Sequence, residues 1–476
     1  MVNPSFIPHE LVEAWVQTVQ TQLSTLLQTP QVTLGHLEEL LEVQGRTLLL
    51  PILSAAAHVL AARQAFHCPV CQQPLLAEAH DRPRSLATVF GSFTFKRAYG
   101  WCPTCARYGH PADHALGLEP QAPASPRVQE IAALLSLREP YAPAAQAAHR
   151  LTGLSVSASG LHREAQRQGQ RALQCRQQDI DLSHTPQGLA ELSARSAAAD
   201  RGPFTLIIEI DAWNIRERDQ WGQTRQLRRQ GQEPERWHWV YTATVFRLDQ
   251  RGQTHGGRRV ISQRGYVATR QGLDAFTQQL YVEALLRGLL HAHEVLIIAD
   301  GAIWIWNLAA DRFQEARQRV DLFHVKEHLH ELARTLYGPG TPEAHQWLQP
   351  LLRFLDRRKQ GGLDVLHELE GLRQRLETST TCQQEALNKE IGYFTTHHPR
   401  MDYQQAKARG EPVGSGAVES TARQYQTRFK CTGQFWTLAG DEALLALATL
   451  YRNERWHRLF PHAAPRPDNP LKARSG

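Results

Sequence analysis

Two apolar runs constrain this chain more than any other feature. Phe204–Ile210 is apolar but for Thr205 and Glu209, and Val295–Ala299 is apolar throughout. Each is short and runs directly into an acid. The first continues as Glu209-Ile210-Asp211-Ala212-Trp213, and the second as Ala299-Asp300-Gly301. A strand that is apolar on both faces must be covered on both, which requires a layered α/β arrangement. Further strands are expected at Trp237–Arg247, Arg258–Ser262 and Arg319–Phe323, with helices at Gly272–Leu290 and from Phe323 through Leu336. Ligands in such sheets collect at strand ends. A single acid there is most simply a loop cap; two invite a functional reading.

A third acid strengthens that reading. Glu419 follows the turn Gly414-Ser415-Gly416 at the start of a helix expected from about 417 to 429. Val418, Ala422, Tyr425 and Phe429 share one face of that helix, and Glu419, Arg423, Gln426 and Lys430 share another. An amphipathic helix with a charged outer face explains the stripe but not the glycine entrance. Three converging carboxylates can hold two divalent cations ~4 Å apart, an arrangement suited to phosphodiester chemistry. Glu209, two residues before Asp211 on the same strand face, and Asp321 in Val320-Asp321-Leu322-Phe323-His324 are competing acids ranked below these three. His324 is a candidate to support them.

Seven cysteines is an odd number, and four form the pairs Cys68-Pro-Val-Cys71 and Cys102-Pro-Thr-Cys105. The chain opens with no basic segment leading into an apolar run. Its greasiest stretch, Leu48–Ala62, contains Pro51 and is shorter than the ~20 residues a membrane span needs. A cytoplasmic, nucleoid-associated protein without a membrane partner is expected, so the paired cysteines read as one structural zinc site. Redox motifs are usually a single CxxC. Ser92–Trp101 alternates aromatics with Thr and reads as a hairpin arm between the pairs. Cys175, Cys382 and Cys431 are isolated.

The net charge of +6 is modest, but only 7 of the 53 basic residues are lysine. Residues 1–65 are acidic and helical, broken at Pro30 and Pro51, and read as a packing or dimerisation bundle. Most of the positive excess falls between residues 68 and 176, including Arg82, Arg84, Lys96, Arg97 and Arg107. After a Pro-rich linker, Ser125-Pro126 opens the first of three short helices; the second runs to Leu151, and the third spans about 157–171. The third presents Arg163, Gln166, Arg167, Gln170 and Arg171, residue types that pair with guanine and adenine edges. A helix–turn–helix is one reading; an ordinary three-helix connector is the other.

The stretches EIDAW (209–213), IIADGAIWIW (297–306), DLFHVKEHL (321–329) and GSGAVESTARQYQTRFKCTGQFW (414–436) resemble bacterial insertion-sequence transposases of the DDE type. The nearest similarity is to the ISKra-type group, over roughly residues 65–458. The resemblance implies a multidomain α/β protein. Its RNase H-like catalytic core would carry an all-α insertion and follow a helical bundle, a zinc ribbon and a helix–turn–helix. The expected segments are 1–66 (bundle), 67–118 (ribbon), 119–178 (helix–turn–helix), 200–340 and 411–460 (core), 341–410 (insertion) and 461–476 (disordered tail). It carries Asp211, Asp300 and Glu419 over as ligands of two Mg2+ or Mn2+ ions, and adds Arg423, Arg428 and Lys430 as DNA contacts. It implies double-stranded DNA partners (terminal inverted repeats and target), strand cleavage and transfer, and an assembly at least dimeric on DNA, since two ends must be held. The alternatives are a catalytically inactive, domesticated DNA-binding protein and an RNase H-like nuclease without strand transfer.

Overall fold

The structure, a computed structural model, describes residues 8–62, 65–196, 202–218, 220–254, 256–257, 259–375 and 380–462. The expected tail lies outside them from residue 463 onward, and Pro461 and His462 form a turn. The chain divides into two compact units, Met1–Glu164 and Ala165–Gly476.

The first unit opens with α1 (His9–Leu27) and α2 (Leu34–Ala62). Trp15 donates its indole N–H to the Gln44 carbonyl at 2.6 Å, tying the two together. Pro30 falls in the connecting turn, but Pro51 lies inside α2 and does not end it. The missing N–H is absorbed within a helix of 29 residues rather than breaking it. By length and composition α2 is therefore long and apolar enough to cross a membrane, unlike the shorter stretch read from sequence. Of its residues only Ala57 is buried.

Strands β1 (Leu76–Thr88), β2 (Gly91–Cys102) and β3 (Arg107–Gly109) form an antiparallel sheet in that order. Leu86, Phe95, Ala112 and Leu118 build its small core. Arg84, almost fully buried, donates to the carbonyls of Glu119 and Ala122 and pairs with Asp113 at 2.7 Å; Arg97 pairs with the same carboxylate. Two of the five hairpin cations are thus structural. Helices α3 (Pro126–Ser136) and α4 (Tyr141–Thr152) follow, the first capped by Ser125 and the second ended by Gly153 at φ 65°. Ala132, Ala144 and Leu161 form the core they share with the start of α5 (Ala158–Ser183).

In the second unit, β4 (Thr205–Glu217), β5 (Arg236–Arg247), β6 (Gly265–Thr269), β7 (Glu294–Ala299) and β8 (Arg317–Val320) form one mixed sheet in the order β8-β7-β4-β5-β6. β5 runs antiparallel to β4 and β6, while β7 runs parallel to β4 and β8. The chain is mixed α/β, as expected, with three differences in the sheet. Arg259–Ile261 pairs with Arg251–Gln253 in a separate two-stranded ladder, so the third sheet strand is β6. β4 does not end at Asp211 but continues to Glu217, paired with β5 throughout. β8 ends at Val320, because Asp321 turns the chain into a helix.

Helices α6 (Leu273–Leu286), α7 (Ile303–Arg312), α8 (Leu322–Tyr337), α9 (Pro342–Arg357), α10 (Gly361–Arg375) and α11 (Thr381–His397) follow in chain order. Ile208, Ile210, Ile297 and Ala299 on one sheet face join Leu329, Leu355, Leu369 and Phe394 in a single hydrophobic cluster. Residues 341–410 therefore share the core of the sheet instead of forming one of their own. Fully buried Arg319 fixes their return, with paired hydrogen bonds to Asp402 (2.6 and 2.8 Å) and one to Glu411 (2.7 Å). The other sheet face, with Ile207, Phe246, Leu296 and Ile298, receives α12 (Gly416–Phe429) through Ala417. α13 (Leu438–Arg452) lies beyond it in sequence.

Candidate active site

Register brings the first two acids together. Glu209 on β4 pairs with Ile298 on the parallel strand β7. Asp211 lies two residues further along β4, and Asp300 directly follows the end of β7 at Ala299, near enough that its charge acts on Asp211. Alternation gives Asp211 the face of Ile207 and Glu209. That is the face α12 covers, and Glu419 sits in the first turn of α12. The Asp300 carboxylate accepts the Ala302 N–H at 3.0 Å, across Gly301 at φ 104°.

Two further acids fix α12 in place. Glu209 accepts the N–H groups of Ala417 (2.8 Å) and Val418 (2.9 Å), satisfying two orphan donors of the helix start. Asp321 accepts the N–H groups of Phe323 and His324, capping α8, and its second oxygen accepts the Ser415 N–H (2.5 Å) and hydroxyl (2.6 Å). Both are buried, with exposures of 1% and 0%. The acids ranked below the triad are thus anchors for the elements that carry it. The glycine turn is explained at one position. A Cβ on Gly414 would fall 2.8 Å from the Phe323 ring and 3.1 Å from Asp321, whereas one on Gly416 would meet nothing within 4 Å.

Electrostatics ties the acids together. Burial pushes Asp211 up to about 6; the charges of Asp300 and Glu419 add to this, while the Ala212 N–H and His324 oppose it. Burial pushes Glu209 up to about 8 against its two helix N–H donors. Glu419 pairs with Arg423 at 3.2 Å. The three carboxylates stand open: among the described residues only the four cysteines bring three or more ligating atoms within 4.8 Å of one another.

Sequence reasoning missed a second contribution, from α11. Tyr393 stacks on His328, with centroids 4.0 Å apart, and lies 4.8 Å from His397. A Cβ on Gly301 would lie 3.4 Å from the Tyr393 hydroxyl and 3.7 Å from His397 Nε2, so both rings abut the Asp300 turn. The Tyr393 hydroxyl and His397 Nδ1 are buried with no hydrogen-bond partner among the described residues. Burial raises the Tyr393 phenol, aided by Glu390, Asp300 and Asp321, and lowers His397 to about 4. The one available signal was the four-residue spacing of the pair on a helix, which does not link them to Asp300.

The expected DNA-contact residues divide. Lys430 is exposed, 5.6 Å from the Trp213 ring centre, and Arg423 is exposed. Arg428 is buried, lies over the Trp436 ring at 5.1 Å and donates to Gln434 at 2.9 Å; it braces the turn after α12 instead of facing outward. The helix expected to end near 171 runs to Ser183. Arg163 and Gln170 are exposed and Arg167 is half-buried. Gln166 and Arg171 donate to the carbonyls of Gly440 (3.0 Å) and Leu459 (3.3 Å). A Cβ on Gly169 would sit 2.5 Å from the Ala443 carbonyl, so this part of α5 packs tightly against α13. Gln166 and Arg171 are thus committed to packing, which removes them from a free base-reading face.

The cysteine cluster is the expected metal site. Cys68 and Cys105 sulfurs lie 4.0 Å apart, and those of Cys71 and Cys102 3.5 Å. A tetrahedron with Zn–S bonds of about 2.3 Å has edges of about 3.8 Å, so the cluster could hold one structural zinc. The N–H groups of Cys71 and Val70 lower the Cys68 thiol to about 6, while contact with Cys71 and burial push Cys105 up to about 12. Four crowded sulfurs cannot all ionise without a cation among them. No protein-family model matches the chain, and no curated protein does either.

Proposed function

We propose that this chain is a DDE-type DNA transposase that binds the inverted-repeat ends of its element, hydrolyses phosphodiesters and rejoins strands. The observation that supports this reading is that Asp211 on β4, Asp300 just past the end of the adjacent parallel strand β7, and Glu419 in the first turn of α12 lie near enough for the charges of the latter two to act on Asp211. The strand order, with three antiparallel strands followed by two parallel ones on the far side of the first, supports the reading of an RNase H-like core. The motif resemblance around Glu419 points the same way.

Three carboxylates are hard oxygen donors that fit Mg2+ or Mn2+, and their mutual repulsion at Asp211 is what a cation would relieve. Bound there, two such ions would activate the attacking oxygen and neutralise the leaving one. Asp211, Asp300 and Glu419 would hold them, Glu209 and Asp321 keep α12 at its station, and Lys430 and Arg423 offer cations to the DNA backbone. The test is to incubate purified protein and Mg2+ with a supercoiled plasmid carrying the DNA that flanks the coding sequence. Joined products are expected. Nicks alone would favour a nuclease without strand transfer, and binding alone a DNA-binding protein without catalysis.

A further inference from the structure

The second unit contains a cavity of about 680 Å³ away from the carboxylates, between the ends of α5, α6 and α13 and the start of β6. Its level follows from register: Gly265 pairs with Val245, which pairs with Ile208, three residues before Asp211 and two strands across. That separation is on the order of 14 Å.

Six arginines line this cavity, and their partners are too few. Arg195 and Arg458 both pair with the carboxylate of Asp179, at 3.0 and 2.5 Å, and Arg195 pairs with Glu191 as well, at 2.6 Å. Arg287 and Arg455 share the carboxylate of Glu283, at 2.9 and 2.7 Å. The first two arginines are thus matched by two acids, whereas the single carboxylate of Glu283 leaves one positive charge over. Among the described residues Arg452 donates only to neutral groups, the side-chain and backbone carbonyls of Gln424, at 2.5 and 3.0 Å. Arg264 is half-buried and makes no hydrogen bond or ion pair among the described residues. Glu454 is the one other acid on the wall. A fold needing only internal ion pairs would match acids to cations. Holding surplus guanidinium groups in a concave site costs energy through self-repulsion unless an anion enters. Guanidinium forks match phosphate oxygens in pairs, and the spread of charge across the cavity fits several linked phosphates better than one.

We infer that this cavity binds a chain of linked phosphates, either the phosphodiester backbone of duplex DNA or a free inorganic polyphosphate. The inference does not depend on the cleavage reading, because none of the three carboxylates lines the cavity.

The experiment uses the full chain with its zinc, a 20-base-pair duplex of arbitrary sequence, and inorganic tripolyphosphate. Binding of each is measured from 50 to 200 mM salt for the wild type, Arg264→Ala, and Arg264→Ala/Arg452→Gln. Removing Arg264 breaks no hydrogen bond or ion pair among the described residues, although its charge acts on Glu209, so unfolding midpoints are recorded for both variants. Each lost phosphate contact reduces the slope of log affinity against log salt by about 0.9 for duplex DNA. A weaker duplex affinity with the slope reduced by about 0.9 and then 1.8 identifies DNA as the source of the phosphates. Tripolyphosphate binding that falls while duplex binding holds identifies the free polyanion. Unchanged binding of both probes in both variants overturns the inference. Asp211→Asn, assayed alongside, should leave both affinities unchanged even if the protein proves to cleave nothing.

Discussion

The carboxylate of Glu209 accepts the backbone N–H of Val418 at 2.9 Å, so the strand that carries Asp211 also holds the start of the helix that carries Glu419. Glu209 is pushed up to about 8 by burial, against an ordinary value of 4.5. An acid raised in this way binds its proton more tightly folded than unfolded. Its contribution to stability is therefore full below pH 4.5 and is lost as pH rises toward 8. Glu209→Gln keeps the acceptor oxygen and removes the titration. Urea-derived stabilities should match wild type near pH 4.5, and the variant should be more stable at pH 8 by on the order of 4 kcal/mol. A wild-type advantage at pH 8 would mean that the ionised carboxylate is the form holding α12.

The turn Gly414-Ser415-Gly416 makes a paired prediction. Gly414→Ala forces a methyl group to 2.8 Å from the Phe323 ring and should destabilise by about 1–3 kcal/mol. Gly416→Ala meets open space in the first turn of a helix and should be neutral or stabilising by up to about 1 kcal/mol. Denaturation midpoints of the two variants check this, and equal losses would refute the packing argument.

Much of this arrangement was legible in the sequence. The apolar runs before Asp211 and Asp300 located β4 and β7, and the stripe Val418, Ala422, Tyr425 and Phe429 located the buried face of α12. Other features were not legible, for physical reasons. β6 is a five-residue edge strand, too short to carry a pattern. A proline inside α2 looks the same in sequence as one that ends a helix. An arginine that braces a turn, such as Arg428, has the same letter as one that grips a phosphate, and only burial tells them apart. The anchoring roles of Glu209 and Asp321 depend on long-range contacts that local spacing does not encode.

The cysteine cluster should carry one zinc per chain. Elemental analysis of the wild type is expected to give about one equivalent, and Cys71→Ser or Cys102→Ser should lose it. Because structural zinc couples directly to folding, the same substitutions should loosen β1–β3, seen as faster proteolysis between residues 66 and 110. Full zinc content in both variants would rule out four-thiolate ligation.

Tyr393 and His397 present polar atoms without a partner among the described residues beside the Asp300 turn. Tyr393→Phe preserves the stacking on His328 and removes only the hydroxyl. It should slow single-turnover cleavage about 10-fold at saturating Mg2+ while leaving DNA affinity and unfolding midpoint near wild type. A wild-type cleavage rate would make the hydroxyl incidental.

The most direct measurement is strand cleavage by Asp211→Asn, Asp300→Asn and Glu419→Gln on the plasmid that carries the flanking DNA, in Mg2+ and in Mn2+, with DNA binding recorded in parallel. Each substitution should abolish cleavage and leave binding intact. Cleavage retained in any one of the three would contradict the carboxylate assignment.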